Sequence, residues 1–294
     1  MQKHRLSRQG FTLVELSIVL VVIGLLIGGI LIGKSLIESA KINAQVKQFQ
    51  QMDIAVSQFR SKYRQLPGDS NLFPSNYKAD NDGAIEGSIN HNGLGATQKI
   101  NGVNYAAFSV PAETAHFWYH MSLSGAISKQ YTTYDFAVGP VPGVNNPAAE
   151  LGRKGSIILA GTISSNAFEV QAPPAHYWGL CPSQTARAPT ATVNSDPCNS
   201  HPHFFNPTHA ATYASAYAMT PVQALAIDSK MDDGKPWKGD VLGMGAQLGY
   251  APDGSSCTYA SATANPNTDY NLSAAKANIN GCNIQIKMFS ISGR

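Results

Sequence analysis

An acidic residue, Glu15, stands at the start of a long apolar run in this sequence. The residues from Leu16 to Gly33 carry no charge and are rich in Ile, Leu and Val. An ionised carboxylate next to hydrocarbon is costly, so an acid in such a place normally marks a function or a partner. At a helix start the carboxylate also interacts favourably with the helix dipole. The chemistry that this position suggests is pairing with a cation.

Three aspartates, Asp228, Asp232 and Asp233, form a second candidate site. Ca²⁺ takes several oxygen ligands at flexible geometry, and neighbouring carboxylates could supply them. Acids that precede a glycine at a solvated helix end are also common without an ion. The explanation without an ion is the more common one, so the sequence predicts no cofactor and leaves Ca²⁺ as an alternative at these residues.

The four cysteines, Cys181, Cys198, Cys257 and Cys282, are dispersed and contain no Cys-x-x-Cys pair. An even, dispersed set in an exported chain is typical of disulfides. Four cysteines allow three connectivities. We select pairing between neighbours in the sequence, which gives Cys181–Cys198 and Cys257–Cys282.

No motif in the sequence predicts an enzyme. His116 and His120 are four residues apart and share a helix face with Glu113, as metal ligands could. The His-Glu-x-x-His pattern is absent, however, and apolar neighbours such as Trp118 account for the segment as a packed helix. The sequence also lacks Gly-x-Ser-x-Gly, a P-loop and a dinucleotide-binding glycine pattern.

Charge and composition indicate a polar body outside the cytoplasm. The chain of 294 residues is long enough for a buried core. Its net charge of +3 comes from Lys3, Arg5 and Arg8, beyond which basic and acidic side chains are equal in number. No basic patch predicts a nucleic-acid partner. After residue 65 the chain is rich in Gly, Pro, Asn, Ser, Thr and Ala, a composition typical of loop-rich domains.

The apolar run predicts a membrane-spanning helix. As a helix, residues 11–33 would cover about 35 Å, enough for a hydrocarbon core of about 30 Å. Basic residues before the run and a long polar region after it place the amino terminus inside and the body outside. A cleaved secretory signal fits less well, because its apolar region is shorter and ends in small residues. The best such candidate here, residues 38–40, begins with Glu38.

The helical pattern continues beyond the membrane segment. Apolar residues recur at steps of three and four, as in one face of an amphipathic helix. No proline occurs before residue 67, so one helix from about Phe11 to Tyr63 is expected, near 80 Å long. Leu66-Pro67-Gly68-Asp69 ends it. The apolar stripe consists of Ile42, Val46, Phe49, Met52, Val56, Phe59 and Tyr63.

The sequence pattern after residue 65 predicts short helices and antiparallel strands. Residues 109–125 read as a second helix, and Thr220, Pro221 and Gln223 predict a capping box that opens a third. Strand candidates cover 134–141, 156–163 and 167–172. Residues 282–291 alternate apolar and polar side chains, as a half-buried strand should. The predicted fold class is α+β, with a long amino-terminal helix packed on an antiparallel sheet.

The amino terminus resembles the type IV pilin superfamily, which includes pilins and the pseudopilins of type II secretion. The resemblance rests on a short basic leader ending in Gly10, the sequence FTLVEL at residues 11–16, and an apolar helix that becomes amphipathic. It implies that a prepilin peptidase cuts between Gly10 and Phe11 and methylates the new amino group of Phe11. It also implies that Glu15 neutralises the amino terminus of a neighbouring subunit. If Glu15 only reached the lipid headgroups, its presence would not be explained.

The resemblance divides the chain into a leader (1–10), a long helix (11–65, crossing the membrane at about 11–33) and a periplasmic or extracellular globular domain (66–294). Its implied partners are the prepilin peptidase, other pilin or pseudopilin subunits, the inner-membrane assembly platform and the membrane. The size of the chain favours a minor or tip subunit. The competing class is a membrane-anchored periplasmic binding protein or enzyme that does not polymerise.

One departure from the resembled family concerns the middle of the apolar helix. Many pilins have a proline there, whereas this chain has Gly24, Gly28, Gly29 and Gly33. Glycines cost about 1 kcal/mol each in a helix interior, which favours local melting. Small residues also favour close helix packing, and the sequence leaves both explanations open.

Cleavage after Gly10 predicts a defined mature amino terminus. Mass spectrometry of the protein from membranes should find a chain that begins at methylated Phe11. An intact Met1, or a start near Lys41 as after ordinary signal cleavage, would contradict the processing prediction.

Overall fold

The computed structural model divides into two compact units, Met1–Asn43 and Ala44–Arg294. Each unit is considered by itself. The structure describes residues 12–75, 79, 81, 83, 85, 98–100, 103–105, 113–133, 141–152, 155–163, 175–182, 218–236, 238–244, 257–258, 269–273 and 281–289.

The first helix, α1, runs from Leu13 to Tyr63. Its most apolar window of 18 residues has a mean hydropathy of 2.9 and is not buried, and its length and composition are sufficient to cross a membrane. The later part has a buried stripe, in which Phe49, Val56 and Phe59 are almost fully enclosed. The predicted change from an apolar helix to an amphipathic one is confirmed.

Two further helices and six strands are described. All strand pairs are antiparallel, in a hairpin β1–β2 and a four-stranded sheet of order β3-β4-β6-β5. The α+β class is therefore confirmed. The elements are β1 (Gln98–Ile100), β2 (Val103–Tyr105), α2 (Glu113–Leu123), β3 (Ser156–Ile163), β4 (Ala175–Pro182), α3 (Pro221–Met231), β5 (Val241–Met244) and β6 (Asn283–Lys287).

The strand predictions are partly right. The strand predicted over 156–163 is β3, and the capping box of Thr220 and Gln223 opens α3 as expected. The predicted strand at 167–172 and all but Val141 of 134–141 lie outside the described residues. The sequence analysis missed β1, β2, β4 and β5. Strand β4 lies inside the sheet and pairs with both β3 and β6, and its described side chains Tyr177, Trp178 and Leu180 are buried without alternation.

The prediction that β6 is half-buried is right at its ends, where Asn283 and Lys287 are partly exposed, but wrong at Gln285. Ile284, Ile286 and Met288 are buried as expected, but Gln285, which was expected to face water, is 1% exposed. Strand β6 lies between β4 and β5, and both of its faces are covered at Gln285. A period of two in the sequence identifies the two faces of a strand but not whether the polar face reaches solvent.

The core forms where α2 packs on the sheet. The ring of Trp118 stacks on Trp178 with centroids 5.5 Å apart, and Phe117 meets Trp178 edge-on at 5.6 Å. The indole Nε1 of Trp118 donates to the carbonyl of Ile158 at 3.1 Å. Because aromatic pairs of this kind contribute beyond their buried area, they hold α2 in one orientation on β3 and β4.

Two glutamines attach the later part of α1 to the segment that precedes β3. The buried Gln45 accepts from the backbone N–H of Leu151 at 3.0 Å through Oε1, and its Nε2 donates to Gln48. In turn, Gln48 donates to the carbonyl of Ala148 at 2.8 Å. The helix therefore binds this segment through polar side chains as well as through its apolar stripe.

The exit from α1 is a buried turn held by a histidine. Gly68 has φ +91°, and an added Cβ would lie 2.6 Å from the carbonyl oxygen of Glu113. Its N–H donates to Nδ1 of His120 at 3.1 Å, while Nε2 of His120 lies 3.4 Å from the carbonyl of Pro74. Nδ1 must be unprotonated to accept this bond. Burial, followed by the nearby His116, lowers the pKa of His120 to about 4.

The His120 contact predicts a loss of stability in acid. Between pH 6.5 and about 4 the unfolded chain takes up a proton that folded His120 resists, so stability falls as pH falls through this window. His120→Gln keeps an acceptor for Gly68 and a donor for Pro74 but does not titrate. Denaturation of the full chain in detergent, followed by tryptophan fluorescence, should show a pH slope near pH 5 that is smaller by up to about 1.4 kcal/mol per pH unit.

A second variant for comparison is His176→Gln. Burial and the nearby Arg60 also lower the pKa of His176 to about 4, so this variant should lose a separate part of the slope. An unchanged slope in His120→Gln would show that His120 does not contribute.

Candidate functional site

The helix start contains a reciprocal pair of hydrogen bonds between Thr12 and Glu15. The carboxylate Oε2 of Glu15 accepts from the backbone N–H of Thr12 at 2.8 Å and from its Oγ1 at 2.9 Å. In return, Oγ1 of Thr12 accepts from the backbone N–H of Glu15 at 3.2 Å. The backbone N–H of Leu16 donates to the carbonyl of Thr12 at 3.2 Å, which starts the helical ladder. This is a capping box.

The capping box fixes the position of the Glu15 carboxylate. Free N–H groups at a helix start lack partners within the helix, and in an apolar environment that lack is especially costly. Both bonds from Thr12 end on Oε2 of Glu15, which leaves Oε1 for a further donor such as an ammonium group. The site can therefore cap its own helix and accept from a cation.

The structure places Glu15 in the first turn of α1, while Gly10 and Phe11 lie outside the described residues. The proposed cleavage and methylation there remain predictions. The contribution of Thr12 was missed in the sequence reading. The pattern Thr-x-x-Glu immediately before an apolar run is the signal that could have revealed it.

Comparison with known families matches residues 5–31 to the prokaryotic N-terminal methylation motif. This motif is typical of the signals of type IV prepilins and pseudopilins, and the match supports a pilin-like or pseudopilin precursor. It also favours a structural protein over a catalytic one. No curated protein and no solved structure matches the chain. The motif covers the basic leader, Glu15 and most of the apolar run.

The three aspartates that were considered as possible calcium ligands do come together. One oxygen from each of Asp228, Asp232 and Asp233 lies within 4.8 Å of the others. The buried Asp228 accepts from the hydroxyl of Tyr270 at 2.8 Å and from the backbone N–H of Gly234 at 3.0 Å. Burial raises the pKa of Asp228 to about 6.

The other two carboxylates also bind groups of the protein. Asp232 accepts from the backbone N–H groups of Asp240 and, at 3.2 Å, Val241. Asp233 accepts from the backbone N–H of Lys235 at 2.8 Å, and its other oxygen lies 3.7 Å from Nζ of Lys238. The cluster is therefore held by donors from the loop that follows α3, from Val241 at the start of β5 and from Tyr270.

A disulfide connects this region to β6. Cys257 and Cys282 are bonded, and Thr258, next to Cys257, forms an isolated bridge with Tyr270. Tyr270, which donates to Asp228, is therefore paired with a segment that the disulfide attaches to Cys282, immediately before β6. For the other predicted pair, the side chain of Cys181 and the whole of Cys198 lie outside the described parts, so that pairing remains a prediction.

The capping box predicts a local effect of Thr12→Val. Loss of the hydroxyl should destabilise the first turn by about 1 kcal/mol, which corresponds to roughly fivefold faster amide exchange at Glu15 and Leu16, whose N–H groups bind Thr12. Hydrogen exchange of the full chain in detergent micelles measures this. Thr12→Ser keeps the hydroxyl and should exchange like the wild type. Equal rates in all three proteins would mean that the cap contributes nothing to helix stability.

Proposed function

We propose that this protein is the precursor of a structural subunit of a type IV pilus or a type II secretion pseudopilus. The observation that carries the proposal is Glu15, held in the first turn of an exposed apolar helix within a matched methylation motif. Cleavage after Gly10 creates a positively charged amino group on Phe11. Methylation of that amino group leaves it a cation.

Pairing with another subunit explains why Glu15 is retained. In a bundle of such helices, the nearest cation available to Glu15 is the terminal amino group of a neighbour. The desolvation cost of both charges is offset only when they meet, so the pair favours one stagger between subunits. The bonds from Thr12 support this role, because they hold the carboxylate in place with one oxygen free to accept.

The membrane segment would hold the unassembled subunit in the inner membrane. The basic leader stays on the cytoplasmic side, α1 crosses the inner membrane, and the body lies in the periplasm. There the chain meets the prepilin peptidase, the assembly platform and other subunits. The precursor mass of 31.3 kDa favours a minor or tip subunit, because major subunits of the resembled family are smaller.

Substitution of Glu15 tests assembly separately from processing. Glu15→Ala should lower incorporation into sheared or purified filaments at least about tenfold, since loss of one partner of a desolvated ion pair costs about 3 kcal/mol or more. Mass spectrometry should still find the cleaved, methylated chain. Immunoblots of the filament and membrane fractions measure the distribution.

Glu38→Ala is the matched control, because Glu38 lies in the same helix beyond the uncharged run. It should assemble like the wild type. If Glu15→Ala also assembles normally, or if the wild-type chain is absent from filaments, the protein is a membrane-anchored periplasmic protein that does not polymerise.

A further inference from the structure

The loop between α3 and β5 comprises residues 232–240, and its described residues, 232–236 and 238–240, lie against one edge of the four-stranded sheet. Within the described part of the chain, β5 pairs with β6 alone and is therefore an edge strand of the described sheet. The backbone N–H of Gly243 in β5 donates to the carbonyl of Pro236 in the loop at 2.9 Å. The loop thus occupies the position in which a further strand would pair.

The N–H groups that point outward from β5 already have acceptors. Alternate residues of a strand direct their N–H groups to opposite neighbours, so Val241 and Gly243 share one side. Val241 donates to the carboxylate of Asp232, and Gly243 donates to Pro236. The preceding N–H, that of Asp240, also donates to Asp232. A strand from outside would find these donors engaged.

A second observation shows that the carboxylate of Asp232 packs directly against the backbone of Gly239. Gly239 has φ +80°, and a Cβ atom added there would overlap the carboxylate of Asp232. The position therefore requires glycine for two reasons, its backbone conformation and the volume that the carboxylate fills. Hydrogen bonds also hold both ends of the loop. The backbone N–H of Gly234 donates to the carboxylate of Asp228, and the backbone N–H of Lys287 donates to the carbonyl of Asp240.

The opposite edge of the sheet is covered in a similar way. The first residues of β3 meet an extended segment, in which Ala149 donates to the carbonyl of Ser156 and Ile158 donates to that of Pro147. Ala148 and Ile157 form an antiparallel bridge. Exposed sheet edges are templates for pairing with other chains, and proteins commonly cover them with loops and charges.

We propose that residues 232–240 are an edge plug that prevents β5 from pairing with a second copy of this chain, and that Asp232 is its central residue. Asp232 binds the N–H groups of Asp240 and of Val241 in β5, so its carboxylate lies at the sheet edge itself. The need for such a plug is greatest in a filament, where the helices bring many globular domains together. That last consequence rests on the proposed function, whereas the plug itself does not.

Hydrogen exchange on the full chain in detergent micelles tests the plug. Asp232→Ala removes the acceptor and should speed exchange at the amides of residues 240 and 241 by about 5- to 150-fold, the range expected from leaving a donor unpaired. Light scattering should show association that rises with protein concentration. Glu150→Ala is the matched control, since it removes an exposed carboxylate that lies outside this loop, and it should leave both measurements unchanged.

Asp232→Asn separates the plug from a calcium site. The amide oxygen still accepts from the backbone, so protection at residues 240 and 241 should stay within about threefold of the wild type, well below the cost of a lost acceptor. A calcium site would instead show slower exchange of the wild type with millimolar CaCl₂ and loss of that response in Asp232→Asn. Such a response would overturn the proposal.

Unchanged exchange and association in Asp232→Ala would also overturn the proposal. If Asp232→Ala does not fold, Asp232→Asn decides, because retained protection supports the plug and lost protection contradicts it. The purified chain needs no filament for these measurements. Failure of the proposed assembly function would therefore be seen with Glu15→Ala and not here.

Discussion

A backbone N–H that leaves bulk water needs an acceptor, and three places in this protein show how that requirement is met. At the start of α1, Thr12 and Glu15 supply acceptors to each other. At the exit of the same helix, the N–H of Gly68 reaches a ring nitrogen of His120. At the sheet edge, Asp232 accepts from the N–H groups that precede and begin β5. In each case one polar side chain decides where a regular element begins, ends or stops pairing.

The long helix meets two environments that demand different surfaces. Its first part is apolar on every side, as lipid or a bundle of similar helices requires. Its later part has one buried stripe and glutamines that bind the segment before β3. The carboxylate at the apolar end caps the helix, and in the proposed assembly it would also pair with a cation of another subunit. The same side chain therefore takes part in capping its own helix and in the proposed assembly of subunits.

The success of sequence reasoning followed the length and regularity of each pattern. The 51-residue helix α1 and the capping box of α3 carry repeated or specific local signals, so both were predicted. Strand β4 carries no alternation, because it is buried on both faces between β3 and β6, and it was missed. The opposite error occurred at Gln285. Its alternating pattern predicted an exposed side chain, but the pattern does not reveal what covers the polar face of the strand.

The sequence alone determined the membrane helix, the position of Glu15 and the matched methylation motif, because these depend on residues adjacent in the chain. Only the tertiary structure decided which groups of the protein the aspartates at the end of α3 contact. Their acidity and spacing do not reveal these partners. The hydroxyl of Tyr270 and the N–H of Val241 in β5 come from other parts of the chain, and long-range contacts of this kind leave no local period in a sequence.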